Sequence, residues 1–182
     1  MRGRVFLAFL LMLLLMAAAF GIGAYRAHFN ERIRIDQALE SLKEVLTARI
    51  EMGNNLLTVA GRHLDASDPM IISIRAQIGI LSGQASLSEK AAANQQLTID
   101  SKALLDILEH KASVIQDGRD LNYVTGLLPR GFEQSAQWAD ASAYNTAAKA
   151  FNDRLNSSFS GRIAQFWGVE KAEFFSTVEE GL

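Results

Sequence analysis

The sequence predicts an all-α protein, with a single N-terminal transmembrane helix followed by a long antiparallel bundle of about four helices. The 182 residues include only two prolines and many alanines, so strong helix formers meet few helix breakers. Residues 5–25, VFLAFLLMLLLMAAAFGIGAY, carry no charge. Beyond them, apolar residues recur every three or four positions, which is the spacing of an amphipathic helix.

Residues 1–4 form a short basic tail before the uncharged run. Residues 5–25 can span a bilayer, because about 20 helical residues cover a hydrocarbon core of about 30 Å. A cleaved signal peptide is the alternative, since a basic start and the small residues at 21–23 also suit cleavage. The run is longer than a usual signal core, so we expect an uncleaved single-pass anchor in the cell membrane. Arginines flank both sides, and we expect a cytoplasmic N-terminus.

Residues 26–168 are predicted to form the bundle. Its first helix continues from the span without a breaker and carries the stripe Ile35, Leu39, Leu42, Leu46, Ile50, Gly53, Leu57, Ala60 and Leu64. Asp68 as N-cap and Pro69 at the first helical position then predict a second helix. Gly83 is its expected C-cap, and its expected buried residues are Ile71, Ile74, Ile78 and Leu81.

Ser86 and Glu89 have the spacing of a capping box, which predicts the start of a third helix that ends near Gly118. Its buried face is expected at Leu97, Leu104, Leu108 and Ile115. Residues 117–131 contain three glycines and a proline and are predicted to be a connection with one turn of helix. A fourth helix is expected over residues 132–155, a short last helix at GRIAQFWG, and an aromatic and acidic tail over residues 169–182.

Two aromatic–asparagine pairs, Tyr144-Asn145 and Phe151-Asn152, lie seven residues apart. Seven helical residues turn by about 700°, so the two aromatics share one face and the two asparagines share a neighbouring one. An asparagine at a helix seam fixes the register, because a slipped alignment leaves its amide unpaired. The pairs therefore predict a helix interface, and a ligand or partner contact through the carboxamides is the alternative.

The second half of the chain resembles the C-terminal signature of the LemA family. The matching residues are the two aromatic–asparagine pairs, Ile163-Ala164, Phe166-Trp167-Gly168, Phe174-Phe175 and Glu179-Glu180-Gly181. In the first half, the matching residues are Phe29-Asn30 after the span and the run Arg49, Asn55, Leu56, Leu57 and Ala60. Asn54 stands where the family usually has proline, so the chain resembles a divergent member.

The resemblance implies a membrane-anchored antiparallel helical bundle with coiled-coil packing. It adds Asn55 to the candidates for helix register or interface. One branch of the family is implicated in shaping magnetosome membranes, and some members are encoded near membrane metalloproteases. The family's biochemical role is poorly defined, so the resemblance implies an architecture more than an activity.

Two further sets of residues are candidates for contacts with the membrane. The aromatic residues Phe166, Trp167, Phe174 and Phe175 suit the bilayer surface, and capping the end of the bundle is the alternative. Small residues four apart in the span, Ala17 with Gly21 and Ala19 with Gly23, permit close helix packing and a homo-oligomer.

Catalytic and nucleic-acid-binding functions find no support. There is no cysteine, and His28, His63 and His110 lie on separate segments. His63, Asp65 and Asp68 are interpreted as a polar turn, and Glu109-His110 lacks the second histidine of a zinc protease helix. The net charge of −2 without a basic run disfavours nucleic acid. We therefore expect no enzyme, no metal and no cofactor.

The sequence predicts a non-enzymatic, membrane-anchored scaffold of the LemA type that organises or shapes the bilayer. Its expected partners are the lipid bilayer and a second copy, and no protein partner is identified. A single-pass sensor that holds small molecules between helices is the first alternative. An adaptor to a membrane protease is the second.

Overall fold

The computed structural model describes residues 2–139 and 141–177, and every regular element in these ranges is helical. The helices are α1 (Arg2–His63), α2 (Pro69–Ser82), α3 (Leu87–Glu109), α4 (Ala112–Gln116), α5 (Gly118–Asn122), α6 (Leu128–Trp138), α7 (Ser142–Ser157) and α8 (Phe159–Phe166). A π-helical segment, Tyr123–Leu127, joins α5 to α6. The all-α prediction is confirmed for the described residues. Met1, Asp140 and residues 178–182, which include the expected acidic end, lie outside them.

Helix α1 is 62 residues long and continues from the basic start through the uncharged run. By length and composition it is the one helix in the described ranges that could cross a membrane, and a signal sequence would have the same properties. The large apolar side chains between Val5 and Ile22 are exposed. Residues 26–63 continue the helix because no proline interrupts the backbone ladder.

The predicted helix starts are confirmed by their hydrogen bonds. The Asp68 carboxylate accepts from the Met70 N–H at 2.9 Å, and Pro69 opens α2. Ser86 and Glu89 form a reciprocal capping box at the start of α3. Gly83 occupies the C-cap of α2, where its N–H donates to the Ile80 carbonyl at 3.3 Å.

Three predictions about the second half are wrong. Helix α3 ends at Glu109, not near Gly118, and Ile115 lies in α4 with 54% of its surface exposed while Val114 is buried. Residues 117–131 are largely helical, because the Asp117 carboxylate caps α5 and Pro129 falls in the first turn of α6. The expected fourth helix is divided between α6 and α7, and no glycine or proline marks that division.

The chain divides into two compact units, and α1 and α7 contribute residues to both. The first unit comprises Met1–Ala38 and Thr146–Glu173. Its buried residues include Ala24, His28 and Ile35 of α1, Ala148, Phe151, Asn152 and Leu155 of α7, Gly161 and Ala164 of α8, and Val169 and Ala172 after it. A Cβ atom at Gly161 would lie 2.3 Å from the Leu155 carbonyl oxygen, so only glycine permits this contact.

The second unit comprises Leu39–Asn145 and Phe174–Leu182. Its core is built from three stripes: Leu42, Leu46, Leu56 and Ala60 on α1, Ile71, Ile74 and Leu81 on α2, and Leu97, Leu104 and Leu108 on α3. The periodicity predicts all of these except Leu56, whereas five other residues that it predicts to be buried are only partly so: Leu39, Ile50, Leu57, Leu64 and Ile78. Arg49, Val124, Leu128 and Phe132 are also buried in this unit. A Cβ atom at Gly53 would lie 2.8 Å from Ile78 Cδ1, so α1 and α2 pack at close range.

Candidate functional site

The two asparagines of the aromatic–asparagine pairs each bond to the main chain of the segment after α8. In the first unit, Asn152 Nδ2 donates to the Ala172 carbonyl, and its Oδ1 accepts from the Ala172 N–H, both at 2.9 Å. In the second unit, Asn145 forms the same pair of bonds with Phe175, again at 2.9 Å. The sequence predicts bonding across a helix seam, whereas the structure gives both carboxamides a non-helical backbone as partner.

The aromatic members of the pairs are buried. Tyr144 and Phe151 fall on the predicted stripe with Ala148 and Leu155, and all four are buried. Asn55, the remaining candidate for register, is exposed on α1.

Helix α8 ends in a turn that requires glycine. Gly168 has a φ of +94°, a conformation that favours glycine. The Val169 N–H donates to the Ala164 carbonyl and the Gly168 N–H to the Gln165 carbonyl, both at 3.0 Å, which is the Schellman pattern. The turn redirects the chain into the segment that Asn152 holds.

In the first unit, aromatic side chains of α8 and the following turn contact α1 near the end of the uncharged run 5–25. The ring centroids of Phe20 and Phe159 are 6.1 Å apart, and those of Tyr25 and Trp167 are 6.2 Å apart. The Trp167 indole covers Gly21, where a Cβ atom would lie 3.3 Å from its Cζ2 atom. The absent side chain at position 21 thus gives space to the indole.

The aromatic candidates for membrane contact differ in exposure. Phe166 is 87% exposed and Trp167 is 46% exposed, and Phe159 is 72% exposed beside them. Phe174 is half-buried and Phe175 is buried, and both belong to the second unit. We call the exposed set Phe159, Phe166 and Trp167 the aromatic surface of the first unit.

The candidates for packing in the span also differ. Gly21 is buried under Trp167, whereas Ala17, Ala19 and Gly23 are exposed. A Cβ atom at Gly23 would meet no atom within 4 Å among the described residues.

A buried carboxylate joins α1 to α5 in the second unit. Asp120, whose side chain is 1% exposed, accepts from Arg62 Nε at 2.7 Å, from Arg62 Nη2 at 2.5 Å and from His63 Nε2 at 2.8 Å. The hydrogen bond from Arg62, reinforced by that from His63, holds the pKa of Asp120 below its usual range despite the opposing effect of burial.

His63, which is predicted from the sequence to be part of a polar turn with Asp65 and Asp68, belongs instead to a different cluster. Asp65 accepts from Ser67 and Asp68 caps α2, whereas His63 comes within 4.8 Å of ligand atoms on Asp117 and Asp120. The guanidinium of Arg62 already covers both oxygens of Asp120. Its positive charge opposes a metal cation at this position, so the cluster is best described as an ion pair.

Arg49 is fully buried and bonds to neutral oxygens on two helices. Its Nη1 atom donates to the Phe132 carbonyl and to Ser135 Oγ, both at 3.3 Å. Its Nη2 atom donates to the Asn94 carbonyl at 3.4 Å and to Thr98 Oγ1 at 2.5 Å. Burial lowers the pKa of Arg49. A single guanidinium from α1 therefore ties α3 to α6.

A groove of about 860 Å³ runs between α3 and the opposite wall that the π-helical segment and α6 form. Its apolar lining comes from Leu105, Val124, Pro129 and Phe132. Its charged lining residues, Lys102, Asp106, Glu109 and Glu133, are exposed. Thr98 and Phe132, which line opposite walls, are both partners of Arg49. No sequence pattern predicts this groove, because one of its walls depends on residues 117–131 being largely helical.

No family model, no curated protein and no solved structure matches the chain.

Proposed function

We propose that the chain is a non-enzymatic, single-pass membrane protein whose helical bundle serves as a scaffold at the membrane surface. The observation that carries the proposal is the exposed apolar surface of α1, where the large side chains from Val5 to Leu15 are each about half exposed or more. Exposure of a continuous apolar surface of this size to water is unfavourable. The surface therefore indicates a contact with lipid or with another protein. Its length and its lack of charge favour lipid.

The aromatic surface supports the same proposal. Phe159 and Trp167 contact Phe20 and Tyr25, which lie at the end of the uncharged run. Aromatic side chains are favoured at the boundary between hydrocarbon and water. If residues 5–25 cross the bilayer, α8 lies at that boundary and adds a second contact with lipid beside the anchor.

The size and shape of the protein in lipid test the scaffold function. The full-length chain is reconstituted into nanodiscs for mass measurement and into liposomes for imaging. A scaffold gives discrete oligomers or deformed vesicles, because repeated weak contacts between long helices accumulate. A monomer on undeformed vesicles would contradict the scaffold function.

A sensor that binds a small molecule is the second candidate, and the groove of the second unit favours it. A volume of about 860 Å³ lies within the range of ligand sites, which is roughly 300–1,000 Å³. Binding of an apolar amine to the full-length protein, with no change in oligomeric state, would support this function over the scaffold.

A further inference from the structure

We propose that the groove between α3 and α6 is a docking site for a basic amphipathic helix of a protein partner. This inference rests on the proposed scaffold function, since it names the class of partner that the scaffold would bind. It depends only on residues of the second unit.

The dimensions of the groove suit a helix. Its lining runs over residues 98–109 on one wall and residues 124–136 on the other. At a rise of about 1.5 Å per residue, each wall is about 17 Å long, or roughly three helical turns. An amphipathic helix that docks through anchors at i, i+4 and i+7 needs about 10 Å of groove. The groove is therefore long enough for all three anchors.

The lining is apolar where such anchors would insert. Leu105, Val124 and Phe132 are buried, and Pro129 lies between the last two in sequence. Leucine or isoleucine side chains of a third helix would fill the space between these residues, as side chains of one helix fill the grooves of others in a bundle. Because these lining residues are already buried, removal of the partner's own leucine or isoleucine side chains from water would supply most of the affinity.

The rim determines the charge of the partner. Asp106, Glu109 and Glu133 are acidic and exposed, and Lys102 is the one basic residue among the lining residues described. Complementary charge raises the association rate and disfavours acidic partners. A helix with lysine or arginine beside its apolar stripe matches this rim, whereas an acidic helix is repelled.

Arg49 fixes the two walls of the groove before a partner arrives. Arg49 bonds to both walls, through Thr98 on one side and the Phe132 carbonyl on the other. The π-helical segment Tyr123–Leu127 contributes Val124 and Thr125 to the lining, and such segments are frequent at functional sites. Preorganised walls reduce the entropy lost on binding.

The test uses two designed helical peptides with the same leucine stripe. One carries lysine on the flanks of the stripe, and its twin carries glutamate at those positions. Binding to the full-length protein in phosphatidylcholine nanodiscs is measured by fluorescence anisotropy, and binding to empty nanodiscs is subtracted. We expect the lysine peptide to bind at least about tenfold more tightly than its twin, with an affinity that weakens as salt rises.

Substitutions test whether the peptide binds in the groove. Reversing two rim charges with Glu109→Lys and Glu133→Lys should abolish or invert the preference for the lysine peptide. Glu44→Lys with Glu51→Lys makes the same change in net charge at exposed positions of α1 outside the groove and should leave the preference unchanged. Ala136→Trp, at an exposed lining position, should fill the groove and weaken both peptides.

Four outcomes would overturn the inference. The two peptides could bind equally, the control pair of reversals could act as strongly as the rim pair, or Ala136→Trp could have no effect. The fourth outcome is failure of both peptides to bind, and binding of 4-phenylbutylamine in that case would favour the sensor. None of these outcomes touches residues 5–25 or the aromatic surface, so they leave the membrane scaffold open to its own test.

Discussion

Asn152 and Ala172 exchange two hydrogen bonds of 2.9 Å, one in each direction, so that a side-chain amide pairs with a main-chain amide. Asn145 and Phe175 repeat the arrangement. Both donor and acceptor capacity of each backbone residue is satisfied, which matters because Ala172 and Phe175 are buried. Only asparagine or glutamine offers a donor and an acceptor side by side, and asparagine does so with fewer rotatable bonds.

Replacement of Asn152 by leucine is predicted to release the segment after α8. The N–H and C=O groups of Ala172 would lose their partners in a buried position, which costs about 2–4 kcal/mol in total. Trypsin should then cleave after Lys171, which is exposed, faster than in the unchanged protein. The rate of cleavage and the free energy of unfolding in urea are the measurements, and the helical signal should remain nearly unchanged.

Asn156→Leu is the matched control, because Asn156 is exposed on the same helix and accepts only a surface hydrogen bond from Gln165. It should change stability by less than about 0.5 kcal/mol. Equal effects of the two substitutions would show that the bonds to Ala172 do not hold the segment.

Local patterns predict the first half of the fold well and the second half poorly. The caps at Asp68 and Ser86 depend on neighbouring residues alone, so the sequence identifies them. The partners of Asn145 and Asn152 lie 30 and 20 residues away in a segment without periodicity, so the seven-residue interval shows that the asparagines matter but not what they bind. The three glycines and the proline of residues 117–131 predict a connection, whereas the capping of α5 by Asp117 and tertiary packing make it helical.

The burial of Arg49 beside the groove is likewise not predicted by local sequence patterns. The amphipathic stripe on α1 omits it, because a charged residue is expected to face water. Its burial is explained by hydrogen bonds from the guanidinium to four residues that the fold brings together: Asn94, Thr98, Phe132 and Ser135.

Asp120→Asn is predicted to destabilise the protein by about 2 kcal/mol at pH 7, because charge-assisted hydrogen bonds with Arg62 and His63 are lost. The pKa of Asp120 is lowered in the folded state, so its stabilising effect is present above the unfolded pKa of about 4 and is lost as the pH falls through the folded pKa. The difference between variant and unchanged protein should therefore shrink at low pH. Urea unfolding at pH 7 and pH 3 measures it. Asp153→Asn, at an exposed position, is the matched control and should change the free energy of unfolding by less than about 0.5 kcal/mol.

Arg49→Lys is predicted to cost more than Arg49→Met. A lysine ammonium cannot reach α3 and α6 together, and it would leave a buried charge with few partners, at a cost of about 3 kcal/mol. Methionine removes the charge, and the two carbonyls that Arg49 contacts retain the Thr98 and Ser135 hydroxyls as donors. Its cost should be about 1 kcal/mol. Unfolding in urea decides between them, and a smaller loss for lysine would show that the Arg49 guanidinium does not join α3 to α6 as described.

Phe166→Cys offers a direct probe of the aromatic surface, since the chain has no other cysteine. An environment-sensitive fluorophore at position 166 is predicted to emit at shorter wavelength in liposomes and to be quenched by nitroxide-labelled lipid. Ile107→Cys is the control, because Ile107 is exposed and apolar in the second unit. Quenching of both labels to the same extent would contradict a specific contact of α8 with lipid.

The intact mass of the full-length protein after expression, combined with extraction of its membranes at alkaline pH, tests whether residues 1–25 anchor the protein. An anchored scaffold retains residues 1–25 and stays with the lipid during extraction and flotation. A chain that begins after residue 23, or one that is released into the supernatant, would show that the apolar run is a removed signal sequence. That result would contradict the account of a membrane-anchored protein.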